Sequence, residues 1–236
     1  MSHPFFEFFN EDRPFIDPDE KNWPKEWNEI YFKSYPRLKQ VKLPNPKLQE
    51  LGLSEAIIKR KTDRNFSGDP INIQQLSNLL FYAAGITRGG QEFSRAYPSG
   101  GARYPIEIYP AVFNASDFDR GIYHYNVKNH VLELISSEAD DLGKIKNALR
   151  VPFAGKAAFA LVFSMVPGRS FSKYGNFAFK LGLLEAGHIS QNIYLLAQAL
   201  GLKCCALGAV AEEPIHKILD IDGFNEVVFY AVVLGT

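Results

Sequence analysis

Four short segments carry side chains that could do chemistry. The first is Arg60-Lys61-Thr62-Asp63-Arg64, with two guanidiniums, an ammonium and a hydroxyl in one short stretch. Arginine offers a planar fork of donors and threonine a short hydrogen bond, a set that suits a phosphate dianion. A basic helix end complementing its own macrodipole would read the same way. The second is Pro98-Ser99-Gly100-Gly101, a run of small residues ahead of a β-rich stretch. Such a run lets backbone N–H groups approach a flat ligand, and it also makes an ordinary turn. It matches neither a Walker loop nor a Rossmann fingerprint.

The third segment holds Lys173 and Tyr174, adjacent in a polar stretch over 169–175 that reads as a loop. A lysine in a dry cleft can lose its proton, and a tyrosine can donate or shuttle one. Two ordinary surface residues are the plainer reading. The fourth is Leu207-Gly208, at the end of a short strand whose backbone N–H groups could face a ligand. Cys204 and Cys205 are adjacent, form no disulfide framework, and read as small buried hydrophobes. No spaced Cys/His set suggests a metal. His188 falls inside a helix as a core or interface residue. His124 and His130 flank a hairpin turn and are expected to be exposed.

The elements that must position these segments follow from periodicity. A helix over 54–60 precedes the basic cluster. Asn72 caps a helix over 73–84, where Leu76, Leu79, Leu80 and Ala83 share a face, and Gly85 ends it. A strand runs over 106–113, a hairpin pairs 121–125 with 131–135, and a helix covers 140–150. The apolar run within 156–166 reads as a buried strand. The longest helix spans 177–200 and is apolar on most sides, so it belongs in a core or an interface. A strand over 203–207, a helix over 213–219 and a strand over 227–234 complete an α+β sandwich. Residues 1–48 differ: Trp23-Pro24, Trp27 and Tyr35-Pro36 suggest an extended arm packing its rings on the domain or on a second subunit.

Composition excludes several classes. The 236 residues are 46% hydrophobic and 22% charged, enough for one domain with an appendage. Twenty-six basic residues balance twenty-six acidic ones, so nothing marks a nucleic-acid footprint or an anionic membrane surface. No run approaches a membrane span, and the N-terminus lacks the pattern of a signal peptide. A cytoplasmic location is expected.

Taken in order, the segments resemble the FMN-dependent nitroreductase superfamily, and within it the SagB-type dehydrogenases that make thiazoles and oxazoles in modified peptides. The resemblance covers about residues 50–236. Its motifs are Arg60 to Phe66, Pro98 to Tyr109, Gly121 to Tyr125, Lys173 to Gly175, Glu185 to Asn192 and Gly201 to Gly208. It implies a nitroreductase-like α/β sandwich with a mixed or antiparallel central sheet, paired as an intertwined homodimer through the long helix. It places Arg60 and Thr62 toward an FMN phosphate, with Lys61 adding charge, and Arg64 toward the ribityl chain and pyrimidine edge. Pro98, Ser99, Gly100 and Gly101 match the loop that one subunit lays against the other's flavin. Leu207 and Gly208 match the turn facing flavin N5 and O4. Lys173 and Tyr174 match the pair associated with azoline dehydrogenation.

The sequence departs from the branch in three places. Asn176 and Lys180 stand near positions where arginines are common, Lys203 replaces a small residue, and the chain stops at Thr236 without a basic tail. The implied activity is oxidation of an azoline or similar peptide-derived substrate by hydride transfer to flavin. The alternatives are an NAD(P)H-dependent nitro or quinone reductase, and a flavin-binding subunit without turnover that docks a cyclase-type partner.

Overall fold

The computed structural model describes residues 16–17, 19–47, 50–88 and 93–236, so the start of the arm lies outside it. Nine strands are present among the described residues: β1 Gln40–Lys42, β2 Ile86–Arg88, β3 Ser94–Arg95, β4 Ile106–Val112, β5 Gly121–Asn126, β6 Val131–Ser136, β7 Phe159–Met165, β8 Lys203–Leu207 and β9 Val227–Gly235. Seven form one sheet in the order β1-β6-β5-β4-β7-β9-β8, with neighbours antiparallel. β2 and β3 pair separately.

Central strands β4 and β7 are buried along their whole length, because helices cover both sheet faces. The strand period of two sends Ile106 and Ile108 into one core and Tyr109 and Ala111 into the other. The first core is closed by α2 Ile73–Ala84 and α5 Phe177–Ala199, through Leu76, Leu79, Ile189 and Ile193. The second is closed by α3 Ala139–Ala148 and α6 Glu212–Leu219, through Ile145, Ile215 and Leu219. α2 begins with a reciprocal capping box between Asn72 and Gln75. α1 Leu53–Lys59 leads directly into the basic cluster.

Three expectations change. The polar segment read as a loop is a helix, α4 Gly168–Tyr174, closed by Gly175 at φ 52°. Arg169 and Lys173, one turn apart, both turn inward and are buried, so polarity here marks an internal charge network and not a surface loop. His124 is fully buried, since its neighbours on both flanking strands are carboxylates: Nδ1 lies 2.8 Å from Glu133 Oε2 and Nε2 2.9 Å from Glu107 Oε2. His130 is half-buried, bonded to Ser77 Oγ and Tyr125 OH at 2.9 Å each.

The long helix is buried on one face only. Ala186, Ile189, Ile193 and Ala197 pack inward, while Leu183 and Leu184 are half exposed (50% and 51%) and His188 is exposed beside them. α1 packs against this helix and leaves Leu53, Ile57 and Ile58 exposed as well. Among the described residues, no helix is long and apolar enough to cross a membrane.

The described arm residues are tied to the domain. β1 pairs with β6 at the sheet edge. The backbone N–H of Tyr35 donates to Glu133 Oε2 at 2.9 Å, and Lys33 bonds Tyr109 OH at 2.7 Å and pairs with Glu226.

Candidate functional site

The basic cluster meets β8 through one tyrosine. Tyr194 OH accepts from Ala206 N at 3.0 Å and shares a second hydrogen bond with Thr62 Oγ1 at 3.1 Å. Asp63 N donates to Cys204 O at 3.0 Å, so the loop also runs along the strand. The Arg60 guanidinium lies 5.5 Å from the centre of the Tyr194 ring, and Arg64 lies 5.8 Å from that of Phe153. Among the described residues neither arginine is in an ion pair, whereas Lys61 is held by Asp63 at 2.9 Å. Leu207 is buried and Gly208 exposed, with open space where a side chain would begin. Arg60 and Thr62 therefore stand beside Tyr194 of α5, the loop that carries them runs along the strand leading to Leu207 and Gly208, and Arg64 lies apart, beside Phe153.

The small-residue loop sits farther back along the same helix. Ser99 Oγ donates to Glu185 Oε1 at 2.7 Å, and Gly100 N donates to the same oxygen at 3.3 Å. Glu185 and Tyr194 are nine positions apart, roughly 13 Å along the helix axis. Asn192 Nδ2 steadies the approach to the loop by donating to Ala83 O at 3.2 Å and Ala96 O at 3.1 Å. Pro98 is exposed at its tip. Burial pushes the Glu185 carboxyl up to about 7, against the hydrogen bonds from Ser99 and Gly100. Its Oε2 is buried with no hydrogen-bond partner among the described residues.

Gly101 brings this loop to the Lys-Tyr pair. It adopts φ 61°, which favours glycine, and a Cβ there would stand 2.5 Å from Tyr174 OH and 3.3 Å from Lys173 Nζ, so a larger residue would push these side chains aside. Lys173 is 2% exposed, with Nζ 3.4 Å from the centre of the Trp23 ring. Burial lowers its pKa, and the nearby Arg103 charge lowers it further against the opposing pull of Glu20. Tyr174 is half-buried beside it.

Behind α4 stands a chain of buried charges. Arg169 Nη1 donates to Tyr104 O at 2.8 Å, and its other terminal nitrogen pairs with Glu107. Burial alone would raise Glu107, but the Arg169 charge and the His124 hydrogen bond outweigh it and hold the carboxyl at about 2. Burial would likewise lower His124, yet its two carboxylate partners raise it. Arg103 Nε donates to Arg169 O at 2.7 Å, and Arg103 Nη1 reaches Trp27 O and Glu29 O, both at 2.8 Å. Helix α4, the sheet and the arm are thus bolted to one another.

Sequence reasoning assigned no role to Tyr194, Glu185, Arg103 or Arg169. The available signals were a lone glutamate inside the apolar helix and Glu107 between two isoleucines in a buried strand.

Comparison with known proteins decides the family. The profile described as "Nitroreductase family" matches residues 57–236. The chain belongs to the nitroreductase family. A nitroreductase homologue of Methanocaldococcus jannaschii is 32% identical over 77% of this chain and 90% of its own length. The trifolitoxin-processing protein TfxB of Rhizobium leguminosarum bv. trifolii is 30% identical over 70% of this chain, which spans only 47% of that relative. A crystal structure of a nitroreductase-type protein from Ralstonia eutropha superposes with a TM-score of 0.72, at 25% identity, covering 83% of this chain and 88% of that one. The nitroreductase-family match and these likenesses agree with the fold described above.

The family's flavin has a chemically suitable place here. The Arg60 guanidinium, in no ion pair among the described residues, and the Thr62 hydroxyl beside it are donors of the kind a phosphorylated cofactor needs, and the backbone at Gly208 is open. Among the described residues, no group of three or more His, Cys, Asp and Glu side chains is placed to hold a metal.

Proposed function

We propose that the chain is an FMN-dependent oxidoreductase of the SagB type, removing hydrogen from an azoline or similar peptide-derived substrate. The observation that carries this reading is the convergence of Gly101, Lys173 and Tyr174, with the lysine buried and its pKa lowered by burial. FMN, when bound, supplies a two-electron acceptor, which Lys173 and Tyr174, acting only as acid or base, do not. Arg60 and Arg64 would grip its phosphate and polar edge, Thr62 would add a hydroxyl, and Lys61, already paired, would contribute less. Leu207 and Gly208 would offer backbone N–H groups to its ring edge. Lys173 or Tyr174 would take the substrate proton, since a desolvated amine is a stronger candidate base near neutral pH than a solvated one.

The loop Pro98, Ser99, Gly100 and Gly101 would reach the flavin of a second subunit. The half-exposed Leu183 and Leu184, with Leu53, Ile57 and Ile58, provide an apolar face for that homodimer. A monomer at micromolar concentration binding one FMN per chain would contradict the dimer. The TfxB likeness favours a processing substrate, and a cyclase-type partner is the corresponding proposal for assembly.

The test is substitution. Lys173→Ala and Tyr174→Phe should each abolish substrate oxidation while FMN stays bound. Full activity in both variants would sink the assignment. A second reading, NAD(P)H-driven reduction of nitroaromatics or quinones, uses the same flavin site. Rapid anaerobic bleaching of the bound flavin by NAD(P)H would favour it.

A further inference from the structure

Trp23 and Trp27 stand edge to face, ring centres 6.0 Å apart at 62°. With Glu20, Gly101, Arg103 and Lys173 they line a cavity of about 360 Å³. That is within the usual range for small-molecule sites. Its walls are flat indoles contributed by the arm, and its charge is lopsided. Lys173 Nζ faces both indoles, at 3.4 Å and 5.5 Å from their centres. Arg103, also 2% exposed, spends Nε and Nη1 on neutral carbonyls. Among the described residues neither cation is in an ion pair. Glu20 is the lining carboxylate, and it is exposed.

Two buried cations, Lys173 resting on the indole faces, against one rim carboxylate leave a net positive field at the cavity wall. Such a field favours an anion, and planar aromatic walls favour a planar one. We propose that this cavity binds a planar aromatic carboxylate, its ring against Trp23 and Trp27 and its carboxylate directed to Lys173. A bound carboxylate would hold Lys173 as the ammonium and so withdraw it as a base. Small aromatic acids would therefore inhibit any reaction that needs the free amine. The binding claim itself does not depend on flavin chemistry.

The chain contains two tryptophans, and both line this cavity, so intrinsic fluorescence excited selectively at indole reports on this place alone. The probes are benzoate and benzamide, alike in shape and different in charge, added to the purified chain. Benzoate should give a saturable change at millimolar concentration or below, and benzamide should bind about tenfold more weakly. Lys173→Met should weaken benzoate by about tenfold and leave benzamide unchanged. Glu20→Gln, at an exposed rim position, should tighten benzoate by about twofold and serves if the lysine variant does not fold. No saturable response, equal binding of the two probes, or unaltered benzoate affinity in both variants would overturn the proposal. Because the readout is binding, a saturable benzoate response with no substrate oxidation would reject the dehydrogenase reading alone.

Discussion

The hydroxyl of Tyr194 bonds Thr62 Oγ1 at 3.1 Å while accepting the backbone proton of Ala206 at 3.0 Å. One side chain thus fixes the basic loop against the strand that ends at Leu207, just before Gly208. Tyr194→Phe removes both hydrogen bonds and keeps the ring under Arg60. FMN affinity should fall by about five- to tenfold, the equivalent of a net hydrogen bond. Titration of the apoprotein with FMN, followed by flavin fluorescence, checks it. An unchanged affinity would mean the loop does not need this tether.

Charge removal should separate the basic residues. Arg60→Gln should weaken FMN by roughly tenfold or more and leave riboflavin, which lacks the phosphate, nearly unaffected. Lys61→Gln should do much less, because Asp63 already neutralises that ammonium. Equal losses for the two variants would count against the phosphate assignment.

Glu185 should make stability depend on pH. Its carboxyl is raised to about 7 from an ordinary 4.5, so between those values the folded chain binds more protons than the unfolded one. Stability therefore falls as pH rises through that window, by roughly 3 kcal/mol in total. Glu185→Gln mimics the protonated acid and keeps an acceptor for Ser99 and Gly100. Urea unfolding should show the variant more stable than the parent at pH 8 and similar near pH 4.5. Identical pH profiles would show that the carboxyl ionises without penalty.

His124 links two buried carboxylates across three strands. His124→Leu would leave Glu133 without its cationic partner, at a cost of about 3–5 kcal/mol. The loss should appear as a lower urea midpoint with an unchanged slope. A variant as stable as the parent would show that Asn126 and the Tyr35 N–H suffice for Glu133.

Much of the framework was legible because local signals were strong. The Asn72 cap, the apolar run within 156–166 and the alternating hairpin each announced its element. What sequence could not show was pairing across distance. His124 reads as an exposed turn residue and Arg169 as part of a polar loop, since a charge is costly to bury alone and becomes tolerable only beside partners such as Glu107 and Glu133. For the same reason the polarity of residues 169–175 suggests a loop with Lys173 at the surface. The likeness of motifs singles out Arg60, Gly101 and Gly208, but Tyr194, which ties the basic loop to the strand before Gly208, lies inside a helix whose periodicity says only that it packs.

The account stands on flavin occupying the face built by Arg60, Thr62 and Gly208. The most direct measurement is the visible absorption spectrum of the purified protein after saturation with FMN and removal of excess. The account predicts flavin bands at about one FMN per chain, released on denaturation as FMN and not as riboflavin, and lost selectively in Arg60→Gln. A folded chain that retains no flavin under these conditions would contradict it.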